Sequence, residues 1–391
     1  MDNEKNSRWD KKMGYSGRLW VRLMFFVVVC CGFIRPAFAA GDIRLDYIGQ
    51  QVFATGERFA DTEVGGLSGI DYLGRDNIFV AISDDRSQIN PARFYTLSLD
   101  LDRQEFRSVK FQSVEFMKQP GGTLFPKPGV MAPSKLDPES IRLSPQGRSF
   151  FWISEGNAKA HIDPFVREMS FKGDHMRSFE IPEKFRVRVD MKTGKNVGIR
   201  NNLSFESLSV SSDGKTIMVA PEVALYQDGP RPTAKKGSLI RFLELDVKSA
   251  KPRREFVYES APVKHAIGPE GGFSINGLVD IFAIGPKQYI SVERSFTMGK
   301  GNSIRLFLVD LRGASDVSDL HSLAGKSYKK VKKTLLLDMD SLNLKPDNIE
   351  GLALGQKFAD GSRSLILISD NNFSENQETQ ILAFAIYGLE D

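Results

Sequence analysis

Asp137-Pro138-Glu139-Ser140-Ile141, followed by Phe151-Trp152-Ile153-Ser154-Glu155, settles the architecture, because the chain repeats this form four more times. The counterparts of the first half are Gly66-Leu67-Ser68-Gly69-Ile70, Ser204-Phe205-Glu206-Ser207-Leu208, Gly277-Leu278-Val279-Asp280-Ile281 and Asn348-Ile349-Glu350-Gly351-Leu352. Their third positions lie 71, 67, 73 and 71 residues apart. The counterparts of the second half are apolar runs that end in Asp84, Glu222, Glu293 and Asp370; with Glu155, these acids are spaced 71, 67, 71 and 77. Two independent markers therefore keep one period, the signature of a repeat architecture.

Each period holds four runs of strand-like alternation separated by turns such as Ser144-Pro145-Gln146-Gly147 and Ser212-Asp213-Gly214. In the third period the runs are Ser207–Val210, Thr216–Ala220, Leu239–Asp246 and Glu255–Ser260. No stretch keeps a helical period over ten residues. Four-stranded units repeated radially leave only short, protected sheet edges, so the expected fold is an all-β propeller of five four-stranded blades. The last period ends after its third strand, Gln380–Tyr387, and Ile43–Phe53 resembles the outer strand Lys332–Asp340 of the preceding unit. The N-terminal strand is thus expected to close the ring. A sixth blade would have to come from the insertions at 113–136, 182–203, 225–238 and 312–331, which read as loops.

Residues 1–22 carry six basic side chains, Leu23 to Ile34 is apolar, and Pro36-Ala37-Phe38-Ala39-Ala40 has the small residues of a cleavage site. This is the pattern of a secretory signal over 1–39, with the propeller domain over 40–391. The apolar run is shorter than the roughly 20 residues that span a bilayer, so no stable membrane insertion is expected after cleavage. Both cysteines, Cys30 and Cys31, fall in that segment, leaving the exported form without thiol or disulfide chemistry. The formal charge of +4 also falls to about zero once seven basic and three acidic residues are removed. A nucleic-acid partner is not expected from that balance. The expected location is a bacterial periplasm or the cell exterior.

In an antiparallel blade the start of the first strand and the end of the second lie at one end of the sheet. Glu139, Glu206 and Glu350 from the first set should therefore converge near the axis. Asp84, Glu155, Glu222, Glu293 and Asp370 should lie on the same face. Carboxylates gathered in this way either share protons or bind a hard cation such as calcium through oxygen, so all eight are candidate metal ligands. Arg86 and Arg294 directly follow this acidic belt, whereas Arg93, Arg167, Arg241 and Arg305 begin third strands. Arg86, Arg294, Arg93 and Arg305 are candidate clamps for an anionic substrate. The simpler alternative is that each second-strand acid pairs with the arginine of its own blade through a charge-assisted hydrogen bond. His161, on a turn with Asp163 and Pro164, is the candidate general acid or base among four histidines that lack zinc-ligand spacing. No Gly-x-Ser-x-Gly elbow and no phosphate-binding glycine loop before a helix occurs, so no organic cofactor is expected.

Gly65-Gly66-Leu67-Ser68-Gly69-Ile70, Pro138-Glu139-Ser140-Ile141, Trp152-Ile153-Ser154-Glu155-Gly156-Asn157, Phe205-Glu206-Ser207-Leu208, Asn348-Ile349-Glu350-Gly351-Leu352 and Ile368-Ser369-Asp370-Asn371 together resemble the family described as having esterase-like activity of phytase. The resemblance spans roughly residues 60–385. It implies hydrolysis of a small-molecule phosphoester or ester but carries no catalytic set onto this chain; the candidate catalytic groups, Glu139, Glu206, Glu350 and His161, come from the reading of the residues above. Two other readings stay open on the sequence: a non-catalytic propeller that binds a ligand or protein, and a lactonase or carboxyl esterase.

Overall fold

The computed structural model describes residues 43–129, 136–268 and 271–389. The segment read as an export signal lies outside them. Five antiparallel sheets of four strands are arranged as blades around one axis. From the axis outward, blade 1 comprises Leu67–Tyr72, Ile78–Ser83, Arg93–Leu101 and Phe106–Phe116. Blade 2 comprises Pro138–Leu143, Ser149–Ser154, Phe165–Ser170 and His175–Ser178. Blade 3 is Phe205–Val210, Thr216–Pro221, Leu239–Asp246 and Pro252–Glu259; blade 4 is Ser274–Gly285, Gln288–Thr297, Gly301–Asp310 and Lys332–Asp338. Blade 5 takes Asn348–Lys357, Arg363–Asp370 and Glu378–Tyr387 from the C-terminal part and its outer strand, Arg44–Ala54, from the other end of the domain. That last pairing runs from Arg44 opposite Tyr387 to Ala54 opposite Glu378. Among the described residues the insertions hold no sixth sheet; the largest regular feature in them is a two-residue hairpin, Arg188–Val189 with Asn196–Val197.

The ring closes because each inner strand packs on the next, including that of blade 5 on that of blade 1. Each blade therefore has both faces covered, which is why the second strands read as unbroken apolar runs such as Leu365-Ile366-Leu367-Ile368. Apolar clusters fill the gaps between blades. Ile70, Phe79, Tyr95 and Leu97 meet Ile366, Ile368 and Ile381, for example, and Phe94 meets Phe150 edge to face. Burial of this kind is the main driving force for holding the blades together.

At one end the axis is plugged by charge. Arg142 of blade 2 donates to Ile70 O of blade 1 (2.7 Å) and to the Asp280 carboxylate of blade 4 (2.6 Å). Asp280 in turn accepts from Leu352 N of blade 5 (2.9 Å). Both side chains are almost fully buried, so one ion pair ties four blades together.

Candidate functional site

The other end of the axis opens into a cavity of about 1280 Å³. Its floor is built by a recurring irregularity. In every inner strand the register slips between the second and fourth residues of the repeated pentapeptide, or one residue further in blade 2, so Ser68, Glu139, Glu206, Val279 and Glu350 all occupy β-bulges. A bulge bends its strand and re-aims the extra residue. Here it turns Glu139, Glu206 and Glu350 into the cavity.

The residue facing Gly66, Asp137, Ser204 and Asn348 across the hairpin is an acid in four blades: Asp84, Glu155, Glu222 and Asp370. All four line the cavity as well. Two glycines make room for this crowding. A Cβ on Gly66, which also has a φ of +63°, would lie 1.9 Å from Asp84 Oδ1, and one on Gly277 would lie 2.0 Å from Glu222 Oε1.

Blade 4 departs from the sequence alignment by one residue. Leu278 pairs with Glu293, so Arg294, opposite Gly277, takes the place that the acids hold elsewhere. Glu293 points to the other side of the sheet and is fully buried there. It accepts from Tyr258 Oη (2.6 Å), Lys333 Nζ (2.6 Å), Asn276 Nδ2 (2.8 Å) and Ala261 N (2.9 Å). It is a satisfied structural acid away from the cavity and not part of the acidic floor.

Charge on the floor is unbalanced. Asp84, Glu139, Glu155, Glu206, Glu222, Glu350 and Asp370 line it, and Asp137 lies beside Glu139 and Glu155, close enough that one oxygen from each of the three lies within 4.8 Å of the others. Two arginines meet this group. Arg86 donates to Asp137 (2.5 Å) and Asn202 (3.0 Å) and lies 3.8 Å from Glu155. Arg294 pairs with Glu350 and, at 3.2 Å, with Glu222.

Burial, followed by repulsion from neighbouring carboxylates, raises Asp84, Glu139 and Glu206 well above the ordinary carboxylate range. Glu155 is raised in the same way by burial and Asp137. Burial pushes Glu222 up to about 7, Arg294 opposing, and burial with Glu350 pushes Asp370 up to about 8. Burial works against charge on Arg294, yet Glu350, Glu222 and Glu206 hold its pKa above the ordinary value.

An all-carboxylate donor set suits a hard divalent cation such as calcium, which takes oxygen ligands. Asp84 Oδ1 is a second sign of fit: it is buried and has no hydrogen-bond partner. A buried carboxylate oxygen left without a donor is costly unless a cation or proton meets it.

The remaining candidates lie elsewhere. Arg93 is fully buried behind the face, donating to Asp85 (2.7 Å), Tyr95 Oη (2.6 Å) and Glu63 O (2.7 Å). Arg305 donates to Pro262 O (3.0 Å) and Asn276 Oδ1 (3.2 Å) and does not line the cavity. Neither is placed to clamp a substrate there. Pairing of second-strand acids with the arginine of the same blade does not occur. Arg93 takes Asp85 rather than Asp84, Arg167 lies 3.7 Å over the Phe165 ring, and Arg241 takes Asp228 and Glu255. His161 is exposed, ends the short turn Ala158–Ala160 in a left-handed conformation, and lies off the cavity. The histidine on the cavity wall is His265, with Ser303 Oγ at 3.3 Å.

Sequence reasoning passed over Asp137 and Asn348. They hold the same place in the repeat, at the start of the inner strand, and both serve the floor: Asn348 Nδ2 donates to Glu350 (3.0 Å) and Asp370 (3.1 Å). A polar residue in that place in three repeats, Asp137, Ser204 and Asn348, is the available signal.

Comparison with known proteins places this geometry in a wider group. A secreted protein of Arthroderma benhamiae described as uncharacterized is 28% identical over 146 residues, which cover 32% of this chain and 26% of that relative. The match thus spans about a quarter of the relative's length. Among solved structures, a periplasmic gluconolactonase of Pseudomonas aeruginosa aligns over 89% of this chain and 99% of its own at 11% identity and a TM-score of 0.35. The catalytic domain of a Coprinopsis cinerea α-L-arabinofuranosidase aligns over 88% and 98% at 8% identity and a TM-score of 0.43. The model of the Phytase-like family, described as esterase-like activity of phytase, matches residues 62–373, most of the chain, and the chain belongs to that family.

Proposed function

We propose that the chain is an exported hydrolase that cleaves a small-molecule phosphoester at the acidic mouth of the propeller with the help of a divalent cation, calcium being the expected ion. The observation that carries this reading is the imbalance of the floor, where, among the described residues, eight carboxylates meet the two arginines Arg86 and Arg294 and Asp84 Oδ1 is buried without a donor. Without a cation, such a floor would repel a phosphate. Asp137, Glu139 and Glu155 would hold the ion, with Asp84 beside them, and when bound it would supply Lewis-acid polarisation of a phosphoryl oxygen.

The chain's own residues would do the rest. Arg86, oriented by Asp137 and Asn202, reaches the cavity and can neutralise a second phosphoryl oxygen. Arg294 pairs with Glu350 and Glu222, opposes the rise that burial gives their pKa values, and holds them in place. Glu206, which lines the cavity among Glu155, Glu222 and Glu350, is the carboxylate placed to take a proton from an attacking water at its own Oε atoms. Two observations support export: the N-terminal signal pattern, and the secreted relative. Among the described residues no helix is long and apolar enough to cross a membrane.

The test is release of the chromophore from a chromogenic phosphomonoester by the purified protein, with calcium and with chelator, beside Glu206→Gln. Calcium-dependent turnover that falls at least tenfold in the variant is expected. Equal background rates in all three samples would remove the reading.

A further inference from the structure

Blade 4 is built differently from its neighbours at the cavity. Its first two strands run 12 and 10 residues, against 6 each in blades 1, 2 and 3; in blade 5 they run 10 and 8, but there they start and end at the floor, at Asn348 and Asp370. Side chains alternate along a strand, so the cavity face of the second strand beyond Arg294 carries Phe296, and Met298 follows in the turn just past the strand's end. The first strand places Ile275 opposite Phe296, and Phe273 O accepts from Met298 N at the next step out. The result is a ladder: Gly277 with Arg294 at the floor, Ile275 with Phe296 above, and Phe273 with Met298 at the top. From Arg294 to Met298 the ladder rises about 13 Å at ~3.3 Å per residue.

Phe273, Ile275 and Phe296 line the same cavity as the acids. Phe273 is 44% exposed and Met298 57%, and the two rings Phe273 and Phe296 lie 6.2 Å apart. The cavity lining also includes polar residues of blade 5 and of the connection leading into it, Asn343, Lys345, Asn372, Asn376 and Gln377, with Leu344 and Pro346 among them. Large exposed apolar side chains that continue an ionic floor are not needed to hold the hairpin, whose other face carries the buried Ser295 and Thr297. They do suit a ligand with an anionic head and an apolar tail.

We infer that the substrate is an amphiphilic phosphoester whose phosphate meets the acidic floor and whose alkyl or aryl group lies along the Ile275, Phe296, Phe273 and Met298 ladder of blade 4. The inference rests on the floor being a phosphoester site. It excludes fully hydrophilic polyphosphates as the preferred substrates, because the ladder offers them no donors.

Non-hydrolysable n-alkylphosphonates, from methyl to hexyl, separate the two ideas by calorimetric affinity in calcium-containing buffer, measured beside hydrolysis of the matching alkyl phosphates. Affinity should rise about twofold per methylene, as for a tail covered on one side. Phe273→Ser combined with Phe296→Ser should flatten the series while leaving methylphosphonate affinity within twofold. Met298→Ser, at an exposed site that leaves the fold intact, should lower the slope partway. A flat series in the unaltered protein, or a slope that survives in both variants, would overturn the inference. A rising series without any hydrolysis would sustain the ladder and remove the hydrolase reading instead. Hydrolysis with a flat series would do the reverse.

Discussion

The two ends of the propeller axis treat buried charge in opposite ways. At the plugged end Arg142 and Asp280 meet one to one, and further hydrogen bonds tie the pair to the backbone of three other positions in blades 1, 4 and 5. Asp280, though raised by burial to about 6, is held down by Arg142 and by Leu352 N. At the open end several carboxylates share Arg86 and Arg294, and burial drives most of them far from their ordinary range. The same chain thus satisfies a buried acid at the closed end of the axis and leaves acids short of partners at the open cavity. Imbalance, more than acidity, marks the site.

The largest expected effect comes from making the plugged end resemble the open one. Arg142→Met leaves Asp280 buried without its cation and should cost about 3–5 kcal/mol in denaturant unfolding. Adding Asp280→Leu should restore a good part of that loss. Full loss in the double variant would mean that the plug acts through packing rather than through charge.

A second effect sharpens the contrast through pH. In the cation-free protein the floor carboxyls have folded pKa values raised above their unfolded ones, so folding takes up protons. Their stabilising contribution is present below the ordinary carboxylate pKa of about 4. It is lost as pH rises through about 7 for Glu222 and about 8 for Asp370. The Tm in chelator should fall from pH 5 to pH 9, whereas calcium at a hundredfold excess over its Kd should add about 2.7 kcal/mol. A Tm that climbs over that range in chelator would contradict the raised values.

The smallest of these effects isolates Glu293. Glu293→Gln weakens the bonds to Tyr258 and Lys333, and should lower stability by about 1–3 kcal/mol. Cation affinity should stay unchanged, because the side chain lies behind the sheet. A large loss of affinity would put Glu293 back on the floor.

Glu293 also shows where the sequence stops being legible. The period, the strand count and the closing of blade 5 by Arg44–Ala54 follow from repeat spacing and from the missing last strand. The convergence of Glu139, Glu206 and Glu350 follows from their common place in the repeat. What spacing does not carry is register. A slip of one residue turns every side chain to the other face of a sheet, and in blade 4 that single step exchanges Glu293 for Arg294. The bulges that aim the central acids leave no separate mark, since Ser68 and Val279 occupy them as readily as glutamate. Arg93 and Arg241 were misjudged for a related reason. Their partners Asp85, Asp228 and Glu255 come from a turn, a loop and an outer strand whose positions only the folded chain defines.

Calcium titration of the chelator-treated protein by calorimetry, followed by elemental analysis of the saturated sample, bears most directly on the central claim. The account predicts at least one equivalent bound, with protons released on binding at pH 7 and affinity reduced more than tenfold by Glu139→Gln. Absence of binding, with the carboxylates still protonated at neutral pH, would show that the open end is a hydrogen-bonded ring like any other buried polar cluster.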